Sequence, residues 1–165
     1  MKNELSTSFD TLQHMKSEDF EIFYYKDLNL SQVSLHIHSH YEFYYFVEGS
    51  VSYRLGDNEY LLEPGDCLLI PPGLPHTLSN AAPNSPYRRF VLWCSENFFQ
   101  SLCRADAEGC GYGFRYAAEI GGLHFRPDLV NAQEIMGLLM NILEERNDTR
   151  PFRLFNLRLL IASFF

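Results

Sequence analysis

Histidines and a glutamate alternate with aromatic residues between positions 36 and 49, where the sequence reads HIHSHYEFYYFVEG. Successive side chains of a β-strand point to opposite faces, so residues two positions apart share a face. On a strand, one face would carry His36, His38, His40, Glu42, Tyr44 and Phe46, and the other Ile37, Tyr41, Phe43, Tyr45 and Val47. Because unpaired buried polar groups are costly, the first face needs hydrogen-bond partners, water or a ligand.

Three occupants of such a polar face are compatible with these residue types. Neutral imidazoles and a carboxylate bind divalent zinc, nickel or iron(II). The same groups hydrogen-bond a polar small molecule such as a sugar. The third alternative is a water-filled, mutually hydrogen-bonded interior that holds no ligand. The pattern by itself leaves all three open.

A second segment, residues 65–80, reads GDCLLIPPGLPHTLSN and supplies another histidine. Residues 67–70 predict a short strand, and the sequence PPG at 71–73 ends it. His76 follows three residues later. The chain can therefore return His76 to the polar face of the first segment.

The surrounding sequence predicts the elements that hold these residues. Between residues 20 and 93, short runs rich in Val, Ile, Tyr and Phe are separated by turn segments such as GDN and EPGD. This pattern predicts a β-sandwich or a closed barrel. A short helix is expected after Ser95, which is a suitable N-cap, and the stretch that follows predicts a loop and an extra strand.

Two helices are predicted at the end of the chain. Residues 127–146 form an amphipathic pattern, with a stripe made of Leu129, Ile135, Leu138, Leu139, Ile142 and Leu143. The second helix starts near Pro151 and is apolar nearly all round. It runs to the sequence ASFF without a cap or a polar tail. We therefore expect the chain to be a fragment of a longer protein.

Composition and charge exclude several classes of protein. The net charge is −8 and the pI about 5.1, so the chain is a poor candidate for holding phosphate backbones by itself. Apolar residues make up 46% of it, enough for a packed core.

The first 20 residues are polar and predict a flexible arm. No signal peptide or apolar run of membrane length is present, so we expect a cytoplasmic protein without membrane contact.

The two segments together resemble the sequence motifs of the cupin superfamily. The first motif, G-x5-H-x-H-x3,4-E-x6-G, is matched by His36, His38, Glu42 and Gly49, with Leu30 in place of its leading glycine. The second, G-x5-P-x-G-x2-H-x3-N, is matched in full by Gly65, Pro71, Gly73, His76 and Asn80. The resemblance implies a mainly β fold: a cupin, or double-stranded β-helix (jelly-roll), barrel followed by C-terminal helices.

From about residue 20 to 165, the order of segments is similar to the N-terminal domain of AraC-family transcription regulators. The similarity extends from HIHSHYEFYYFVEG through FVLWCSENFF to the two apolar helices. It implies a small-molecule effector inside the barrel and a homodimer formed through the C-terminal helices. DNA would be contacted only through a separate helix-turn-helix domain, which is absent from this chain.

The resemblance also divides the chain into regions. Residues 1–20 form the arm, which would act as a lid if it covers the barrel mouth, and residues 21–95 form the barrel core. Residues 96–125 hold the short helix with its connecting loop and strand, and residues 126–165 the two-helix dimerisation region.

The resemblance further implies which residues form the site. Metal cupins use the motif residues as ligands, which here implies a metal set of His36, His38, Glu42 and His76. Many AraC-like domains bind organic effectors without metal, so a metal-free effector site and an empty polar core stay open. The residues expected to contact an effector are His36, His38, His40, Glu42, Tyr44, His76 and Trp93. His40 lies outside the motif and either lines the pocket or hydrogen-bonds within the core.

Two functions follow as hypotheses. The first is the effector-sensing and dimerisation module of a transcription regulator, with a carbohydrate as the default effector. The alternative is a stand-alone metal-dependent cupin enzyme, an oxygenase or isomerase. The sequence offers no nucleophile or acid–base pair beyond the metal set, so no catalytic residue is predicted.

Overall fold

The computed structural model describes residues 5–9, 14–28, 33–81, 85–104, 109 and 111–164, and at 79–81 it describes the backbone alone. Within these residues the elements, in chain order, are β1 (Phe20–Asp27), β2 (Tyr41–Glu48), β3 (Val51–Leu55), β4 (Asn58–Leu61), β5 (Cys67–Ile70), β6 (His76–Ala81), β7 (Tyr87–Cys94), α1 (Glu96–Cys103), α2 (Tyr112–Ile120), β8 (Leu123–Phe125), α3 (Leu129–Arg146) and α4 (Arg153–Ala162).

The strands form two antiparallel sheets that face each other. One has the order β1-β7-β2-β5-β8 and the other the order β4-β3-β6. The strands precede the two long helices, so the prediction of a mainly β, cupin-like fold followed by C-terminal helices is confirmed. None of the described helices is both long and apolar enough to cross a membrane.

Strand β2 is covered on both sides, as its alternating sequence predicts. Tyr44 and Phe46 pack into the space between the two sheets, which we call the inner cluster. The inner cluster contains Tyr25, Tyr44, Phe46, Val51, Tyr53, Leu55, Leu62, Leu68, Ile70, Leu78, Tyr87, Val91 and Trp93. Phe43 and Tyr45 point the other way and pack against buried residues of all four helices. The apolar face of β2 is therefore the surface on which the helices sit.

The prediction of a strand for residues 36–40 is wrong. β2 begins at Tyr41, and the preceding residues form a loop in which His36 makes an isolated bridge to His76. The amide and carbonyl of His36 and the carbonyl of His38 bond to Gly73 and His76. These groups are therefore not available to the strands that flank β2. As a result Ile37 is 63% exposed and does not join the covered apolar face.

Residues 112–120 form a helix, α2, where the sequence predicts only a loop before the extra strand. Glycines with positive φ flank it, Gly111 at 72° and Gly121 at 78°. A Cβ at position 111 would lie 2.4 Å from Cζ of Phe99, so the close packing there also requires glycine. The helix buries only Phe114 and Ala117, which leaves too weak a periodicity for sequence-based prediction. The predicted extra strand is confirmed as β8.

Capping residues place α1 and α3 where the sequence predicts them. The Ser95 side chain accepts from the Phe98 amide at the start of α1, as predicted. Asp128 accepts from the Asn131 amide and caps α3. The predicted apolar stripe of α3 is correct at Leu139, which is fully buried. Leu129 of the same stripe is 75% exposed, because the first turn of α3 borders an open groove beside β2.

Cys67, Cys94 and Cys103 are buried, and Cys110 lies outside the described residues.

Two leucines of the same predicted stripe should respond differently to truncation. We expect Leu139→Ala to lower the free energy of unfolding by about 2–5 kcal/mol, because it leaves a cavity between α3 and the sheet. Leu129→Ala is the matched control and should change it by about 0.5 kcal/mol or less. Urea unfolding followed by circular dichroism measures both. Equal destabilisation by the two substitutions would contradict this placement of α3.

Candidate functional site

The two histidine-bearing segments are joined by a reciprocal pair of backbone hydrogen bonds. The His36 amide donates to the His76 carbonyl at 3.2 Å, and the His76 amide donates to the His36 carbonyl at 3.1 Å. Next to this bridge, the amide of Gly73 donates to the His38 carbonyl at 2.8 Å. Gly73 has a φ of +78°, which favours glycine. These bonds bring imidazoles that are far apart in sequence into one group.

The four imidazole rings stand next to one another. The ring centroids of His36 and His76 are 4.2 Å apart, and those of His38 and His76 are 4.7 Å apart. His38 and His40 stack in parallel at 3.8 Å. His38, His40 and His76 are buried, while His36 is half-buried. The structure therefore brings together every histidine that the sequence predicts for the site.

Backbone carbonyls determine the tautomers of three histidines. Nδ1 of His36 bonds to the Ser34 carbonyl at 2.9 Å, Nδ1 of His38 to the His40 carbonyl at 2.9 Å, and Nδ1 of His76 to the Leu74 carbonyl at 2.8 Å. A carbonyl oxygen only accepts, so each Nδ1 carries the proton. In the neutral ring, Nε2 then has a free lone pair. Histidines that ligate metals are commonly oriented in this way.

Glu42 provides the negative charge of the site. Its Oε2 accepts from Nε1 of Trp93 at 2.7 Å and lies 3.2 Å from Nε2 of His38. Burial alone raises the pKa of this carboxyl, but the hydrogen bond with His38 and the neighbouring imidazoles outweigh burial and lower it to about 2. Glu42 is therefore ionised at neutral pH. Its contact with His38 requires a proton or another cation between the two atoms.

Two further imidazole nitrogens are buried without a partner. Nε2 of His40 and Nε2 of His76 have no hydrogen-bond partner among the described residues. Burial, assisted by the neighbouring His38, lowers the pKa of His40 to about 3. Burial also lowers the pKa of His76 to about 4. Both rings are thus neutral at physiological pH, the form of imidazole that binds a metal ion.

These features fit a divalent cation. Ligand atoms of His38, His40 and Glu42 all lie within 4.8 Å of one another. His40, which is outside the sequence motif, thus belongs to the most compact group, and His36 and His76 flank it. The unpartnered Nε2 atoms and the ionised carboxylate are the donor set that zinc, nickel or iron(II) takes.

A cavity lies inside the barrel beside this group. Its volume is about 40 Å³, room for a few water molecules. The lining residues are Phe9, Tyr25, Val33, His36, Glu42, Tyr44, Tyr53, Leu78, Tyr87, Arg89, Val91 and Trp93. Four members of the predicted contact set therefore line it: His36, Glu42, Tyr44 and Trp93. The hydroxyls of Tyr44 and Tyr87 are 2.6 Å apart on its wall.

His38 and His40 border a different space. They line a groove on the outside of the barrel, together with His14 and the start of α1. His76 is fully buried near the ring of Tyr53. The predicted site residues are thus one contiguous group with two accessible sides.

Sequence reasoning missed Arg89. Its side chain is 3% exposed, and Nη1 forms an ion pair with Oδ2 of Asp27 at 2.5 Å. Its guanidinium lies over the rings of Tyr87, Tyr25 and Phe9 at 4.1, 4.6 and 5.0 Å. The signal was present in the sequence YRRFVLWC, because alternation on β7 places residue 89 on the same face as Trp93.

Comparison with known proteins adds the family. The model of the AraC-like ligand binding domain matches residues 21–162. No curated protein sequence matches the chain. Among solved structures, an apo lysine-to-alanine variant of ToxT from Vibrio cholerae aligns with a TM-score of 0.60 at 12% identity, over 92% of this chain and 56% of that one.

Two other solved structures align with about half of this chain. A cupin-like protein from Thermotoga maritima has 18% identity over 48% of this chain and 60% of its own, with a TM-score of 0.42. The polyketide cyclase RemF from Streptomyces resistomycificus has 24% identity over 49% of this chain and 58% of its own, with a TM-score of 0.42. The chain spans less than two thirds of the length of these three proteins.

The family match includes both the barrel and the helices that cover it. It extends from β1 to the end of α4, and it contains every residue of the histidine group. The chain belongs to the family of AraC-like ligand binding domains.

Proposed function

We propose that this domain senses a small-molecule effector in the barrel cavity and is part of a longer transcription regulator that contacts DNA through a C-terminal helix-turn-helix domain. The observation that carries the proposal is the cavity itself. Aromatic faces and buried polar groups share its wall, which is the composition of sites for polar organic ligands. Trp93 and the tyrosines offer stacking surfaces suited to a carbohydrate, our default effector.

The N-terminal arm supports a role in effector binding. The amide of Thr7 donates to the Tyr24 carbonyl at 2.8 Å, which holds the arm along β1. Phe9 packs edge-on against Tyr25 and reaches the cavity wall. Since the cavity has room only for a few waters, a sugar-sized effector has to displace a side chain. Phe9 is the lining residue that the arm supplies, so binding would be coupled to the position of the arm.

Strand β1 connects the arm with the C-terminal helices. On one side, Tyr24 and Tyr25 pair with Thr7. On the other, Arg146 of α3 donates to the Ile22 carbonyl. Arg158 of α4 pairs with Asp19, just before β1, at 2.6 Å. An effector that favours one position of the arm would thereby shift the population of helix arrangements.

The last helix supports a homodimer. Phe152, Leu154, Phe155 and Leu159, on or next to α4, are between 53% and 74% exposed. Large apolar side chains clustered on one surface are typical of interaction sites. We propose that the C-terminal helices form a homodimer and that α4 makes the contact with the second copy of the chain.

Metal binding at the histidine group is a second candidate property. The observation in its favour is the set of tautomers: Nδ1 of His36, His38 and His76 bonds to a backbone carbonyl, and Nε2 of His38 lies 3.2 Å from Oε2 of Glu42. A bound divalent ion would supply a Lewis acid for an oxygen of the effector. The same ion would serve the alternative function, a metal-dependent cupin enzyme. Membership of a ligand-binding family favours the sensor.

A larger side chain in the cavity should weaken effector binding. We expect at least one common aldopentose or aldohexose to shift the emission of Trp93, the single tryptophan of the chain, and to raise the melting temperature. Val91→Phe, at a lining position, should weaken that binding by at least about tenfold because the added ring occupies the cavity. Val130→Phe is the matched control, since Val130 is 65% exposed on α3. A folded Val91→Phe variant that binds as the wild type would contradict the proposed location.

Charges on α4 should separate the dimer. We expect sedimentation velocity to show twice the monomer mass of 19.2 kDa for the wild type. The double variant Phe155→Glu and Leu159→Glu should sediment as a monomer, because two carboxylates would be buried without partners. Tyr116→Glu, on the exposed side of α2, should leave the dimer intact. A dimer that persists in the double variant would place the interface elsewhere.

Metal content provides a separate test. We expect the domain, purified without chelators, to carry or take up one zinc or nickel ion per chain, measured by elemental analysis and by titration calorimetry. His38→Ala should weaken binding by more than the roughly 10- to 100-fold typical of an outer-shell change. His124→Ala, in β8, is the matched control. Equal metal content in both variants would show that the histidine group does not hold the ion.

A further inference from the structure

Arg89 is a buried cation with an unused hydrogen-bond donor. Its Nη1 is paired with Asp27, at the end of β1. Its Nη2 is buried and has no hydrogen-bond partner among the described residues. A guanidinium stays protonated at any physiological pH and has no acceptor atom. An acceptor that enters the cavity would satisfy this unpartnered nitrogen.

Aromatic rings restrict the direction from which that acceptor can come. Rings of Tyr87, Tyr25 and Phe9 lie within 5.0 Å of the central carbon of the guanidinium. The N–H bonds of a guanidinium lie in its own plane, so rings on its faces leave only the edges for hydrogen bonding. A planar acceptor with two oxygens matches such an edge.

The charges along the cavity place this acceptor at one end. Arg89 is the one permanent cation among the described residues that line the cavity. On β7 it lies four residues from Trp93, whose indole donates to Glu42 at the histidine end of the cavity. Four residues of strand correspond to roughly 13 Å. An anionic group would thus be attracted to the Arg89 end of the cavity.

We propose that the effector carries a carboxylate and that Arg89 binds this group. The inference rests on the effector-binding function proposed above and names the chemical class of the ligand. For a carbohydrate, it specifies a sugar acid in preference to the neutral sugar. The carboxylate would accept a hydrogen bond from Nη2 of Arg89. The other polar groups of the effector would face the tyrosine hydroxyls and the histidine end of the cavity.

The competing explanation is that Arg89 and Asp27 form only a structural ion pair between β7 and β1. Such a pair would stabilise the fold and would give the domain no preference for anions. The two explanations therefore differ in the selectivity of the cavity and not in the stability of the variants.

Matched anionic and neutral ligands test the proposal. The probes are acetate against acetamide, benzoate against benzamide, and D-galacturonate against D-galactose, at constant ionic strength. Binding is measured by Trp93 fluorescence and by the shift of the melting temperature. We expect at least one carboxylate to bind wild-type protein about tenfold more tightly than its neutral partner.

Variants attribute the preference to Arg89. Arg89→Gln should reduce it to less than about twofold, and Arg89→Lys should keep part of it, because the point charge remains but the planar edge is lost. Arg88→Gln is the matched control: Arg88 is the next residue of β7, exposed and paired with Glu48 on the surface. It should keep the full preference.

Two variants guard against unfolding as the cause of a loss. The double variant Asp27→Asn and Arg89→Gln removes both charges, so neither is left buried alone. Asp27→Asn by itself should increase carboxylate affinity a few-fold, because Arg89 is no longer neutralised by its partner. Such an increase is not expected from a purely structural pair.

The results separate this proposal from the one on which it rests. If neutral probes bind wild-type protein as tightly as the carboxylates, or if Arg89→Gln keeps the preference, the acid requirement is wrong and the effector site stands. If no member of any pair binds, the result counts against the effector site as well.

Discussion

The reciprocal backbone hydrogen bonds between His36 and His76 are the constraint on which the site depends. Residues 36–40 are not part of a sheet, so these two bonds and the one from Gly73 to His38 are what fix their position. With the backbone fixed, local carbonyls can orient the imidazoles through their Nδ1 protons. The second motif therefore does more than supply His76. Its backbone also holds the first motif in position. A substitution that disturbs the turn at 71–73 would therefore displace the imidazoles, although it changes none of the side chains of the site.

The side chains of β2 and β7 alternate between two faces, and each face has its own role. Inward residues such as Tyr44, Arg89 and Trp93 build the cavity, while Phe43, Phe90 and Leu92 hold the helices. The two functions of a sensor, recognition and response, thus share the same strands and differ only in which face they use. Strand β1, at the edge of the sheet, is where the arm and the last two helices meet.

Much of this arrangement is predictable from sequence, because spacing in a strand or around a turn is a local property. The cupin-like motifs identified the histidine group, and the period-two pattern of β2 identified its two covered faces. The loop at 36–40 was mistaken for strand because alternation of residue types does not reveal which backbone groups find partners. Helix α2 was missed because it buries only Phe114 and Ala117 between glycines. Arg89 was missed because a charged residue in YRRF is normally expected on the surface, and only the pairing with Asp27 makes its burial tolerable.

The alternation of β7 has a consequence for how such domains diverge. Arg89, Val91 and Trp93 line the cavity. Phe90, Leu92 and Cys94 alternate with them in sequence and belong to the packed outer side. Inward positions can therefore mutate and alter which compound is recognised, while the intervening ones keep the scaffold intact. Among descendants of one ancestral gene, we expect substitutions on this strand to accumulate at every second codon. Effector specificity can thus change during evolution while the packing between the sheet and the helices is preserved.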